Sequence, residues 1–285
     1  MTKIIADTTC GLPLSELEAL GVDVIPQIII FDDIPYKDDH EIDTPTFLQK
    51  LSQAKELPKT AAPPPALYEP LYKDYAASGE SIVIPTPSTE LSGTYRSAEV
   101  AAEMVPEADV HIVDTRTIAG GLGTLVKKAK EWADQGLPPV EIIDRIKSFS
   151  QREVVYFLVD TLEFLHKGGR IGNASFLIGS VLQMKPILGL EDGKVAAVEK
   201  QRTSAKALKR LKELVIGECP RNEECFITVS HCGGEERADG VDRAAPGPVR
   251  GCRGPPTQRP GRAAARGRAR GDRRAPAGTR ARPAL

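Results

Sequence analysis

Short apolar runs alternate with amphipathic stretches along the first 150 residues. Lys3–Ala6, Val24–Phe31, the run SIVIP (81–85) and Val110–Asp114 read as strands. Between them, Pro13–Leu20, a stretch opened by Thr44 and Pro45, a segment containing Leu67, Leu71 and Tyr75, and the residues from Tyr95 to about Met104 carry helical spacing. Thr44 is expected as an N-cap with Pro45 in the first turn, and Gly21 and Gly136 as helix stops. Thr124–Gln135 and Pro138–Ser148 complete the series. Strands that alternate with helices predict a parallel sheet covered on its faces.

The pattern then changes. Val154–Val159 reads as a buried strand and Leu162–Lys167 as a short helix stopped by Gly168 and Gly169. Ala174–Gln183 is apolar around most of its circumference, which predicts burial. Pro186–Leu190 and Lys194–Val198 flank the turn EDG, a hairpin signal. Ser204–Val215 is a basic amphipathic helix and Phe226–Ser230 a last strand. The expected fold class is α/β in two domains. Residues 1–150 form an α/β/α domain with a mainly parallel sheet, and 151–234 a second α/β domain with a mixed sheet, cut short.

Residues 240–285 contain 12 Arg, no Lys and two acidic residues, with none of Ile, Phe, Tyr, Trp or Met. The net charge of −1 therefore averages an acidic body and a basic tail. Such a composition cannot offset its ordering entropy, so 235–285 is expected to be disordered. Arg, Ala, Gly and Pro come from GC-rich codons, and the switch falls where a helix should follow a strand. The expectation is a frameshift product; a nucleic-acid arm and a plain solvated tail are the competing readings.

No run reaches the roughly 20 apolar residues of a membrane helix, and MTKIIADTTC has no secretory layout. A cytoplasmic chain is expected. None of the five cysteines forms a CxxC pair and the four histidines are scattered, so no metal site and no disulfide is expected.

The turn STELSGTYRSA (88–98) follows a strand and precedes a helix. Ser92 or Thr94 as N-cap, with Gly93 between, would leave free amides and the positive helix end facing the crevice. A plain cap explains the same residues, and on this stretch alone is the simpler reading. Gly168-Gly169-Arg170 would aim a guanidinium at an anion, or end a helix with a surface arginine. GGLG (120–123) resembles part of a phosphate loop, yet GxxxxGK[ST] is absent. Asp7, Asp114 and Asp160 end strands, where they cap or catalyse. Nothing assembles a nucleophile–base pair.

Taken in order, IADTTCGLP (5–13), VIPQIIIF (24–31), PKTAAP (58–63), LSGTYRSA (91–98), VDTRTIAGGLG (113–123), VDTLEFLHKGGRIG (159–172), MKPIL (184–188) and KQRT (200–203) resemble the DegV family. This family includes the acyl-binding subunit of bacterial fatty acid kinase. The resemblance implies a fatty acid buried between two domains. Its carboxylate would be held by Thr60, Ser92 and the Gly93 backbone, with Arg170 nearby. It also implies a non-enzymatic role: a long-chain acid such as palmitate is presented to a separate kinase in fatty acid metabolism or lipid transport. The acid is then a ligand, and no cofactor, nucleic acid or integral membrane segment is implied. The stretch 174–183 and MKPIL would be tunnel walls. Ala61 and Ala62 stand where the family has Ser and Gln, and the family's His–Thr–Gly–Pro–Gly stretch is absent, with its head-group histidine. A phosphoryl-transfer or hydrolytic enzyme using Asp7 or Asp114 as base is the alternative, as is a non-functional truncated copy.

Overall fold

In the computed structural model, strand β1 (Thr2–Asp7) lies between β2 (Asp23–Ile25) and β6 (Ser81–Thr86), and β7 (Val110–Asp114) flanks β6; all pairings in this sheet are parallel. The structure describes residues 1–179, 184–219, 226–232, 234 and 238. These fall within one unit, Met1–Pro255.

Both faces of the parallel sheet are covered, so its strands are apolar at consecutive positions and the two-residue period sorts them. Ile4, Val83 and Val113 point to one face. There they meet α1 (Leu14–Leu20), α5 (Gly120–Asp134) and α6 (Pro139–Ser150) through Leu17, Leu122, Leu125, Ile142 and Ile146. Ile5, Ile82 and Ile84 point to the other. They pack on Tyr68 and Tyr72 from the start of α3 (Glu69–Ser78), and on Ala98 and Ala101 of α4 (Thr94–Met104). Each fully buried Leu or Ile contributes about 1.5–3 kcal/mol.

The run VIPQIIIF is not one strand. Pro26 and Gln27 interrupt it, and Ile28–Phe31 leaves the parallel sheet as β3. Proline has no amide to continue a ladder. Strand β3 pairs antiparallel with β4 (Ile34–Lys37) across a two-residue turn whose residues Asp32 and Asp33 both have positive φ. On its other side it pairs with β5 (Lys59–Ala61), inside a proline-rich stretch expected to be loop. The register sets Thr60 opposite Ile29. Asp43, not Thr44, caps α2 (Thr44–Gln53), accepting from the Thr46 amide; Thr44 is already helical.

A further antiparallel sheet holds β8 (Tyr156–Leu158), β9 (Lys185–Glu191) and β10 (Lys194–Gln201) in the order β10-β9-β8. The EDG hairpin is present, with positive φ at Asp192 and Gly193. Helix α7 (Glu163–Lys167) and a 3₁₀ segment, Gly172–Leu177, lie beside it, and α8 (Ser204–Glu218) follows β10. The stretch from 174 is not buried all round. Ala174 and Leu177 are buried, while Ser175, Phe176, Ile178 and Gly179 are exposed, the three-residue repeat of a 3₁₀ turn; positions 180–183 lie outside the described residues. Phe226–Ser230 forms no strand; Thr228 instead meets Thr124 on α5, hydroxyl to hydroxyl, at 3.0 Å. Cys219 is disulfide-bonded, against the expectation of thiols throughout. The tail expected at 235–285 lies outside the described residues except for Ala238. No helix among the described residues is long and apolar enough to cross a membrane.

The β9–β10 hairpin docks on the parallel sheet's loops. Ser88 Oγ donates to the Gly193 carbonyl at 2.8 Å, Arg116 donates to the Asp192 carbonyl, and Lys194 pairs with Glu90 at 3.4 Å. Gly193 has φ +77°, and a Cβ there would come within 2.3 Å of Ser88 Oγ. Gly193→Ala is therefore expected to lower stability by about 2 kcal/mol or more, combining left-handed strain with the clash. Urea unfolding with tryptophan fluorescence measures this; a loss under about 0.5 kcal/mol, the range of surface changes, would show that the hairpin tip gives way freely.

Candidate functional site

Among the described residues, the buried polar ones are confined to one end of the parallel sheet. Asp7 and Thr8 end β1, Gln27 follows β2, Thr86 and Ser88 end β6, Thr94 opens α4, and Thr115 and Thr117 follow β7. All lie at the carboxyl ends. Strand order reverses between β1 and β6: the chain leaves β1 for β2 on one side and returns to β6 on the other. In open α/β sheets this switch point opens a crevice outside the strand ends, where ligands bind.

The LSGT turn sits there. Helix α4 begins at Thr94, and Gly93 occupies the cap position with φ −80° and no side chain to offer. The capping acceptor comes from one residue further out, Ser92 Oγ, which receives the Thr94 amide at 3.3 Å. Ser92 Oγ also lies 2.8 Å from Thr94 Oγ1. The Gly93 backbone is ordinary, so glycine is not needed for conformation. A Cβ there would reach only Ala62 Cβ, at 3.5 Å. Ser97 Oγ donates to the Pro63 carbonyl. These contacts lay the segment after β5 along the first turn of α4, so Thr60, exposed on β5, is carried toward the same turn.

Arg170 reaches this turn from the other direction. Its Nε donates to the Leu91 carbonyl at 3.1 Å and its Nη1 to the Gly168 carbonyl at 2.6 Å. Gly169, with φ +73°, supplies the left-handed step between α7 and Arg170. Thus Ser92, Gly93 and Arg170 gather at one turn, with the Thr60 strand alongside. A hydroxyl, a helix amino end and a guanidinium together suit an anion.

Behind Ser92 runs a buried polar chain. Gln27 Nε2 donates to Thr94 Oγ1 at 2.8 Å and to Asp7 Oδ1 at 3.2 Å. Asp7 Oδ1 also accepts the Thr9 amide at 2.7 Å and the Thr9 hydroxyl. The Gln27 amide N–H is held by Thr8 Oγ1. Burial pushes the Asp7 carboxyl above the usual range, against the hydrogen bonds from Thr9 and Gln27. Sequence reading found Asp7 but missed Gln27; the signal was a Pro-Gln pair inside an apolar run.

The other candidates have structural duties. Asp7 caps the turn Thr8–Cys10. Asp114 accepts from Thr89 and from the Arg116 amide. GGLG is not a loop before a helix but the first turn of α5, which starts at Gly120 rather than near Thr124. In MKPIL, Ile187 and Leu188 are fully buried core, while Lys185 and Pro186 line a cavity of about 240 Å³ between β8, β9 and α8, shared with Leu158 and Leu208. Among the described residues no group of three or more His, Cys, Asp or Glu could hold a metal ion.

One carboxylate unmarked in the sequence stands out. Glu153 accepts from Thr117 Oγ1 at 3.1 Å, and its Oε2 is buried without a partner among the described residues. Its carboxylate occupies the space a Cβ on Gly121 would fill. Burial raises its pKa to about 7. A raised carboxylate binds its proton more tightly in the fold than in the unfolded chain. The stability it contributes is full below the unfolded value of 4.5 and is lost as pH rises to about 7. Glu153→Gln keeps the shape without the charge. Its melting temperature should exceed that of the parent at pH 8, with the difference shrinking toward pH 5; a pH-independent difference would remove Glu153 as the cause.

Residues 1–246 match the family model described as "Uncharacterised protein, DegV family". A DegV domain-containing protein of Halalkalibacterium halodurans is 34% identical over 248 residues, 86% of this chain and 87% of its own length. A DegV family protein of Thermus thermophilus, described for its fatty acid binding, superposes with a TM-score of 0.79 at 29% identity, covering 89% of this chain and 91% of that one. A DegV family protein of Ruminococcus gnavus, described with vaccenic acid, gives a TM-score of 0.74 at 27% identity, covering 88% and 91%.

Proposed function

Because the chain belongs to the DegV family, we propose that it binds a long-chain fatty acid such as palmitate, with the carboxylate at the LSGT turn. The observation that carries this is the convergence on one turn of the Ser92 hydroxyl, the α4 amino end and Arg170, at the switch point of the sheet. Thr60 and the Gly93 backbone complete the head-group contacts. Fatty acids bound by relatives of the same fold support the ligand class.

The energetics suit a lipid. Burying the 14 or so methylenes of a C16 acid at about 0.8 kcal/mol each supplies roughly 11 kcal/mol of gross transfer free energy. The polar mouth then needs only to orient the head group. We read it as a binding site rather than a reaction centre, a reading supported by the structural duties of Asp7, which caps the Thr8–Cys10 turn, and of Asp114, which accepts from Thr89 and the Arg116 amide. In this reading the acid is held with its carboxylate accessible and handed to a separate cytoplasmic kinase for phosphorylation, in lipid transport or fatty acid metabolism.

Solvent extraction of the purified, folded protein followed by mass spectrometry should yield long-chain fatty acid. A folded protein that neither carries nor takes up such an acid sinks the proposal. Replacing both Thr60 and Ser92 with Ala should weaken palmitate binding by about 100-fold or more, the loss of two hydrogen bonds to a charged group. Unchanged affinity in a competition assay would take these residues out of the site.

A further inference from the structure

We infer that Gln27 and Thr94 are positioning residues for the head group: with Asp7 Oδ1 as anchor, they form a one-directional hydrogen-bond relay that holds the Ser92 hydroxyl proton toward the ligand. The inference rests on the head-group site proposed above and assigns roles to residues behind it.

The direction follows from counting donors and acceptors. Asp7 Oδ1 receives the Thr9 amide and the Thr9 hydroxyl. An oxygen so used is an acceptor, so the NH₂ end of the Gln27 side chain faces it. Protonation of the raised Asp7 carboxyl does not reverse this: Oδ1 already accepts three hydrogen bonds, which leaves the proton to Oδ2, buried and without a partner among the described residues. The second Gln27 hydrogen then points at Thr94 Oγ1, 2.8 Å away. Thr94 is 1% exposed. Among the described residues its hydroxyl meets only Gln27 and Ser92. With Gln27 donating, the Thr94 proton has one acceptor left, Ser92 Oγ. Ser92 Oγ now accepts twice, from the Thr94 hydroxyl and the Thr94 amide. Both its lone pairs are used, and its own O–H is free to donate outward.

The consequence is chemical selectivity. A carboxylate only accepts, so it needs Ser92 as a donor. Were the relay reversed, Ser92 would give its proton to Thr94 and turn lone pairs toward the anion. An alcohol head group is indifferent, since it can donate as well as accept. Gln27 thereby sets which head group the turn prefers without touching it.

The test uses the full chain and two probes of equal length, palmitate and 1-hexadecanol. Gln27→Met should weaken palmitate about tenfold, as expected for one charge-assisted hydrogen bond, and leave hexadecanol within about twofold. Thr94→Val should do the same, and Thr94→Ser, which keeps the hydroxyl, should restore palmitate binding. In a Ser92→Ala background, Gln27→Met should have no further effect on palmitate, because both act through one hydroxyl. Equal losses for acid and alcohol, or an equal Gln27→Met effect in both backgrounds, would overturn the relay while leaving the head-group site standing. If Ser92→Ala alone leaves palmitate affinity unchanged, the head-group assignment fails and the relay fails with it. Should Gln27→Met not fold, the Thr94→Val and Thr94→Ser pair decides the matter alone.

Discussion

A parallel sheet covered on both faces leaves its strand ends as the place where buried polar groups must find partners. Here they find them in side chains. Thr86 Oγ1 binds the Val113 carbonyl, Thr115 Oγ1 the Thr86 carbonyl, and Thr8 Oγ1 the Gln27 amide. The Thr86 carbonyl also accepts the Thr115 amide at 3.2 Å, and a buried backbone group left with no partner at all would cost about 1–3 kcal/mol. Satisfying the carboxyl ends this way concentrates hydroxyls and one carboxylate where the strand order reverses. The LSGT turn is thus an extension of the same network, joined to it through Thr94 and Gln27.

The two halves of the chain share that network. Ser88 belongs to the loop after β6 and reaches the β9–β10 hairpin; Arg170 follows α7 and reaches back to Leu91. Leu91 also packs against the core formed by Ile171, Leu177 and Leu188. Ser88 and Leu91, which precede Ser92, are therefore held by the second half of the chain, while Gln27 and Pro63 hold Thr94 and Ser97 after it. A turn gripped in this way loses little freedom when a ligand arrives, which lowers the ordering cost of binding.

Much of this architecture is written locally. The parallel strands, most helices and the EDG hairpin follow from periodicity and turn residues, because each is decided by neighbours within a few positions. What escaped depends on distant partners. Strand β5 exists because β3 pairs with it, and nothing in LPKTAAP announces that. The division of VIPQIIIF between two sheets hinges on Pro26, read within a strand it in fact ends. Phe226–Ser230 has strand composition but no ladder. At the site, Ser92, Gly93 and Arg170 were visible as a turn and a glycine-flanked arginine. Gln27 was not, since a polar residue in an apolar run declares its role only once Asp7 and Thr94 are brought to its side.

The hairpin tip carries a last consequence. Ser88 and Arg116 both bind main-chain carbonyls there, those of Gly193 and Asp192. A grip on the backbone is blind to side-chain identity. The side chain at position 192 is thus free to vary so long as the left-handed turn survives, whereas position 193 has no room for one. What selection would guard at that spot is a pair of torsion angles, and a family divergent in sequence could keep the two halves in register through them.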